Sequence, residues 1–228
     1  MDRLRRVSTT DPGLPVGLPG GLPGDLLPHA LAAKGFMPED EGAFLHRTAL
    51  AHLADGPALE IGTYCGKSSV WVGSGAAAAG GLLVCVDHHR GNEEQQPGEL
   101  YHDADLVDPS TGLMDSLRFL RRTLRAAELE RSAIVMVTTS RIAATLCRGP
   151  FGMVFIDGGH TFEAAETDLE CWAPQVAAGG ILAIHDLFPN PADGGQAPIT
   201  IYRRALASGA FDELPTTKTL GVLRRKAR

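Results

Sequence analysis

With 228 residues and 44% hydrophobic content, the chain is long enough for one α/β domain whose core needs no disulfide staples. A net charge of −6 argues against a nucleic-acid backbone as partner, and no apolar run reaches membrane-spanning length, since Ala76 to Val86 is broken by Gly80 and Gly81. The basic start, Met1-Asp2-Arg3-Leu4-Arg5-Arg6, runs on into Pro and Gly where a signal peptide needs an apolar stretch, so a cytoplasmic protein is expected.

Residues 1–34 read as an N-terminal arm, irregular over the Pro/Gly-rich span 11–28. Such an arm is either disordered or draped across a partner subunit, which makes a homodimer one expectation. From residue 35 to 228 a single domain is expected. A helix around Glu41 to Ala54 leads into a strand near Ala58 to Ile61, a turn with two glycines, and a helix from Ser68 to Ala79. The strand Leu82 to Val86 ends at Asp87. A polar segment from His88 to Ser110 follows, within a lid or substrate loop placed at 88–113. Leu113, Leu117, Leu120 and Leu124 then form a helical stripe, leaving the arginines between Arg118 and Arg125 on the wet face.

The strand Ala133 to Val137, a short helix from Ser140 and the strand Phe151 to Ile156, ending at Asp157, come next. A helix over Phe162 to Trp172 and a strand over Ile181 to Ile184, ending at His185-Asp186, continue the pattern. A helix near Ile199 to Ala207 and a strand near Leu220 to Leu223 close it. This alternation implies a doubly wound, mainly parallel sheet whose ligands bind outside the carboxyl ends of the strands. Glu60, Asp87, Ser140, Asp157, His185 and Asp186 stand at those ends and should converge in one crevice. Cys65, Cys85, Cys147 and Cys171 show no C-x-x-C pairing and are expected as buried free thiols.

The turn Leu59-Glu60-Ile61-Gly62-Thr63-Tyr64-Cys65-Gly66-Lys67-Ser68-Ser69 follows a strand and opens a helix, as a cofactor turn does, but it lacks the G-x-G-x-x-G dinucleotide pattern. Glu60 inside it suits a cationic or hydroxyl-rich ligand better than a pyrophosphate. Asp87, roughly 20 residues on, is placed to accept hydrogen bonds from ribose hydroxyls. Asp157, His185 and Asp186 form a set for one divalent ion, Mg²⁺ or Mn²⁺. Otherwise the two acids cap helices and His185 packs at the sheet edge. His160, three residues past Asp157 and after two glycines, is expected as a neutral imidazole base. In the loop, His88, His89 and His102 with Glu93, Glu94, Tyr101, Asp103 and Asp105 either bind a polyhydroxylated substrate or are simply solvated. His29, His46 and His52 are expected to be structural or surface residues. No G-x-S-x-G elbow and no phosphate-binding G-x-x-x-x-G-K-[ST] loop is present.

The glycine turn resembles the first motif of class I S-adenosylmethionine-dependent O-methyltransferases, the catechol and caffeoyl-CoA type especially. Gly35-Phe36-Met37-Pro38 is similar to that group's methionine-bearing segment against the cofactor. Phe155-Ile156-Asp157-Gly158-Gly159-His160 resembles its metal-binding strand end, with His160 where the family has a lysine base. The second metal pair, Asp-Asn or in macrocin-type enzymes Asp-Asp, is here His185-Asp186. The resemblance covers about residues 35 to 190 and implies a seven-stranded Rossmann-like sheet. It further implies Met37, Glu60, Gly62, Thr63, Tyr64, Gly66, Ser68, Asp87, His88, Ser140, Arg141 and Asp157 around S-adenosylmethionine, with Glu60 near its amino or sulfonium end. Asp157, His185 and Asp186 would hold the metal and His160 would act as base. The His88-His89 loop and the segment from Asp186 to Gly195 look like those of actinobacterial carbohydrate methyltransferases. That implies a sugar or oligosaccharide hydroxyl as acceptor, such as the 1-hydroxyl of a methylmannoside. A phenolic or catechol acceptor is the alternative, and a nicotinamide-dependent oxidoreductase would use the same crevice.

Overall fold

The protein is described here by a computed structural model covering residues 22–52 and 56–227. Five strands run parallel: β1 (Ala58–Ile61), β2 (Leu83–Asp87), β3 (Ala133–Val137), β4 (Phe151–Ile156) and β5 (Val176–Ile184). β6 (Phe211–Thr217) and β7 (Leu220–Arg225) join antiparallel, giving the order β3-β2-β1-β4-β5-β7-β6. Every residue of β1 and β4 is buried, as expected of central parallel strands covered on both faces.

Alternation along those strands builds two cores. Ala58, Met153 and Phe155 face a layer made by α1 (Leu27–Ala32), α2 (Glu39–His52), α3 (Lys67–Ala78) and α4 (Leu117–Ala126), where Leu45, Trp71 and Leu120 pack. Leu59, Ile61, Val154 and Ile156 face α5 (Ser140–Leu146), α6 (Phe162–Trp172) and α7 (Ala197–Ala207), where Leu169, Trp172 and Ile201 pack.

Several elements depart from expectation. The end of the arm is a helix: α1 starts at Leu27, takes Pro28 in its first turn where no N–H is needed, and buries Ala30 beside Leu22. Residues 1–21 lie outside the described residues, and with them most of the arm and the basis for a homodimer. Leu113 stands outside α4 and is exposed, while Leu120 and Leu124 are buried and Arg121, Arg122 and Arg125 face solvent. β5 reaches back to Val176 through Gly179 and Gly180, with a register shift against β4. β6 is an added strand. Its polar, Pro-containing sequence hid it, because an edge strand needs neither two buried faces nor every N–H. Among the described residues no helix is long and apolar enough to cross a membrane.

Helices α2 and α3 approach closely through small residues. A Cβ added at Gly42 would lie 2.4 Å from the Trp71 ring, and one at Gly75 would lie 2.6 Å from the His46 carbonyl oxygen. Gly42→Val should therefore destabilise the fold by about 1–3 kcal/mol, the usual cost of overpacking. Urea unfolding measures this; an unchanged midpoint would mean that Trp71 moves aside freely.

Candidate active site

The sheet reverses its winding between β1 and β4, and the cleft opens there. Gly62, at φ +82°, ends β1, and a Cβ on it would sit 2.1 Å from the Asp157 carbonyl oxygen. Only glycine permits that approach. The next residues are held by Asp87: its Oδ2 accepts from the Tyr64 amide at 2.8 Å and its Oδ1 from the His89 amide at 2.6 Å. Tyr64 and His89 both take positive φ, 46° and 59°, so one carboxylate secures two strained residues, one in the glycine turn and one at the start of the 88–113 loop.

The cleft has a volume of about 650 Å³. Met37, Gly62, Thr63, Tyr64, Ser68, Asp87, His88, Ser140, Arg141, Asp157, His160, His185 and Asp186 all line it. Thr63 is fully buried, and its Oγ1 has no hydrogen-bond partner among the described residues. The Ser140 hydroxyl accepts from Trp172 Nε1 at 2.6 Å. Beside it lies Asp168, buried on α6, its carboxyl pushed up to about 6 by burial against the pull of Ser140. Asp168 gave no signal in the sequence, being one acid among several on an amphipathic helix.

Around the ends of β4 and β5, two imidazoles alternate with four carboxylates. His185 Nδ1 lies 3.1 Å from Asp157 Oδ1, and its Nε2 lies 2.9 Å from Glu41 Oε2. The other Glu41 oxygen accepts from the Thr219 amide at 2.7 Å and hydroxyl at 2.9 Å. His160 Nδ1 lies 3.0 Å from Glu94 Oε2, and its Nε2 lies 3.2 Å from Asp186 Oδ2. Asp186 is itself left-handed, at φ 58°. One ligand atom each from Asp157, His160 and Asp186 fall within 4.8 Å of one another, a spacing able to hold a metal ion.

A family model described as a methyltransferase domain matches residues 59–187, more than half of the chain. The chain belongs to this S-adenosylmethionine-dependent methyltransferase family. Solved structures agree in fold. Cofactor-bound Rv0187 from MTB is 22% identical, with TM-score 0.60 over 88% of this chain and 87% of that one. The SAH-bound methyltransferase PaMTH1 of Podospora anserina is 17% identical, with TM-score 0.63 over 91% and 90%. The O-methyltransferase NovP is 16% identical, with TM-score 0.63 over 83% and 81%. Membership of the family sets aside the oxidoreductase alternative.

The methyltransferase's cleft differs from the sequence expectation at four residues. Glu60 is wholly buried and does not line the cleft. Strand alternation turns it toward α3, where its Oε2 accepts from Ser69 Oγ at 2.5 Å and burial pushes its carboxyl up to about 7. Gly66 is also off the wall. At φ 91° it opens α3, and a Cβ there would meet Leu120 of α4 at 2.9 Å. His185 has both ring nitrogens engaged by carboxylates and stands behind the metal-spaced set instead of within it. Burial opposes its charge, but Asp157, Asp186 and Glu41 push it up to about 12. His160, expected as a neutral base, belongs to that set, and its hydrogen bond to Asp186 outweighs burial to push it up to about 9.

Glu41 is a second residue that sequence reasoning missed, a buried partner behind the site. It reads as an ordinary acid in the first turn of α2, because its partner His185 is 144 residues away. Burial alone would raise its carboxyl, yet His185 and Thr219 bring it below the ordinary range. Glu41→Ala leaves the His185 ring short of a buried partner and should cost about 3–5 kcal/mol of stability, as breaking a buried ion pair does. Chemical denaturation tests this; a loss under 1 kcal/mol would place the pair among weak surface bridges.

Proposed function

We propose that the methyltransferase transfers the methyl group of S-adenosylmethionine to a hydroxyl oxygen of a sugar or oligosaccharide, with Mg²⁺ or Mn²⁺ on Asp157, His160 and Asp186. What carries this reading is the juxtaposition of a nucleoside-suited wall and a cation-spaced cluster across the β1/β4 end of one cleft. The donor chemistry of the wall fits the cofactor. Asp87 keeps lone pairs for a ribose diol beyond the two amides it accepts from. The orphaned Thr63 hydroxyl gains a partner, and Ser140 with Arg141 edges the adenine side. Met37, Tyr64, Ser68 and His88 complete the enclosure.

When bound, S-adenosylmethionine supplies an electrophilic sulfonium methyl, and the cation lowers the pKa of a hydroxyl fixed on it. The remaining work falls to the chain's own groups. Asp157 and Asp186 hold the acceptor side in place, with Asp157 seated directly against the Gly62 turn. His160 must shed its Nε2 proton to serve as a ligand, so protons and cation compete at that atom. Most of the rate gain then comes from orientation, because the two walls belong to adjacent strands and hold the reacting groups in a fixed relation.

A polyhydroxylated acceptor is supported by the polar lining that the lid gives the cleft at Asn92, Glu93, Gln95 and Gln96. A phenolic acceptor is the second reading, supported by the aromatic cluster at the rim. There the Phe36 ring lies 5.0 Å from Tyr101 and 6.1 Å from Tyr64, and Phe36 is 62% exposed.

A labelled methyl-transfer screen over mannosides, glucosides and catechols, with Mg²⁺ and with excess chelator, tests both readings. Transfer to glycosides that stops on chelation is expected. Asp157→Ala should lower turnover by more than about 100-fold, since even outer partners of a metal site are worth 10–100-fold. Full activity in excess chelator would refute the cation and leave methyl transfer standing.

A further inference from the structure

One acid of the 88–113 loop meets an imidazole of the cation-spaced set. Glu94 lies in the 3₁₀ turn Glu93–Gln95, and its Oε2 is 3.0 Å from His160 Nδ1, across 66 positions of chain. The turn that carries it is braced without its side chain. The Gln95 side chain accepts from the Asn92 amide at 3.1 Å, and the Gln96 amide group donates to the carbonyls of Arg90 and Asn92. The Tyr101 amide donates to the Glu94 carbonyl at 3.0 Å. The rest of the lid is anchored elsewhere: Lys34 Nζ grips Asp103 at 2.5 Å and Asp105 at 2.8 Å. The bonds that brace the turn therefore leave out the Glu94 carboxylate, which meets an imidazole of the cation-spaced set instead.

An imidazole bound through one nitrogen still needs its ring plane fixed, because its terminal torsion is broad. A carboxylate on the second nitrogen supplies that constraint, as carboxylate–histidine pairs do around metals. We infer that Glu94 is a positioning residue, which holds His160 by Nδ1 so that Nε2 is presented to Asp186 and the cation, and which makes that presentation depend on the lid being seated. The inference rests on the cation site proposed above. Glu94 is partly exposed, so its ion pair adds little to stability and its loss should leave the fold intact.

The test compares the full-length chain with Glu94→Ala and Glu94→Gln. In the alanine variant, Mn²⁺ affinity by electron paramagnetic resonance and kcat should each fall about 10–100-fold. The melting temperature, S-adenosylhomocysteine affinity and acceptor KM should stay put, and the His160 ring ¹⁵N resonances should shift in the metal-free protein. Glutamine still offers an oxygen to Nδ1–H and should restore most of both losses. Unchanged Mn²⁺ affinity and ring resonances in Glu94→Ala would overturn the inference. So would a glutamine variant as impaired as alanine with a lowered melting temperature. Failure of the functional reading is distinct: a wild-type chain that binds no S-adenosylhomocysteine refutes methyl transfer, whereas the ring resonances still report whether Glu94 holds His160.

Discussion

A backbone contact sets the geometry of this cleft. The ends of β1 and β4 lie side by side, the Asp157 amide donates to the Ile61 carbonyl at 2.9 Å, and Gly62 turns away where any Cβ would strike the Asp157 carbonyl oxygen. Asp157 is thus both the floor of the glycine turn and the first acid of the cation-spaced cluster. A doubly wound sheet has such a point only where its strand order reverses, and here that point falls between β1 and β4. The glycine turn and the cation-spaced cluster are neighbours because β1 and β4 are hydrogen-bonded neighbours.

The two imidazoles are clamped in the same manner from opposite sides. His185 spans Asp157 and Glu41, and Glu41 is tied through Thr219 to the turn before β7, so this clamp belongs to the core. His160 spans Asp186 and Glu94, and Glu94 rides on the lid. Burying Glu41 with His185 is costly unless every lone pair and N–H is met, and here both Glu41 oxygens and both ring nitrogens are met. The core clamp gives Asp157 one fixed place. The lid clamp leaves His160 conditional on a loop.

Much of this was legible because strand ends in a parallel sheet announce themselves: an apolar run, then an acid or a glycine. Asp87, Ser140, Asp157, His185 and Asp186 were placed at one edge by that rule, and they line one cleft. Glu60 failed the same rule because it lies inside β1, not past its end, so alternation turned it under α3. Gly66 looked like a ligand glycine but serves a left-handed helix start and the packing of α4. Glu41 could not be read at all, since a long-range buried pair leaves no local pattern. α1 and β6 were hidden for a related reason: each is short or polar, and stabilised by what it packs on, not by its own periodicity.

The division between core and lid also explains why the acceptor is harder to read than the reaction. Groups fixed by the sheet inherit their positions from strand register, which sequence alternation encodes. The residues 88–113 that line the cleft belong to a segment whose position is set by side-chain contacts between distant parts of the chain, such as Lys34 with Asp103 and Asp105 or Phe36 with Tyr101. The same loop lines the cleft with polar residues and sets the Tyr101 ring against Phe36. The strand-end groups therefore sit where sheet register fixes them, and the loop groups sit where a few surface pairs decide the shape. In such an architecture, acceptor preference can change through lid substitutions that leave β1, β4 and the Gly62–Asp157 contact untouched.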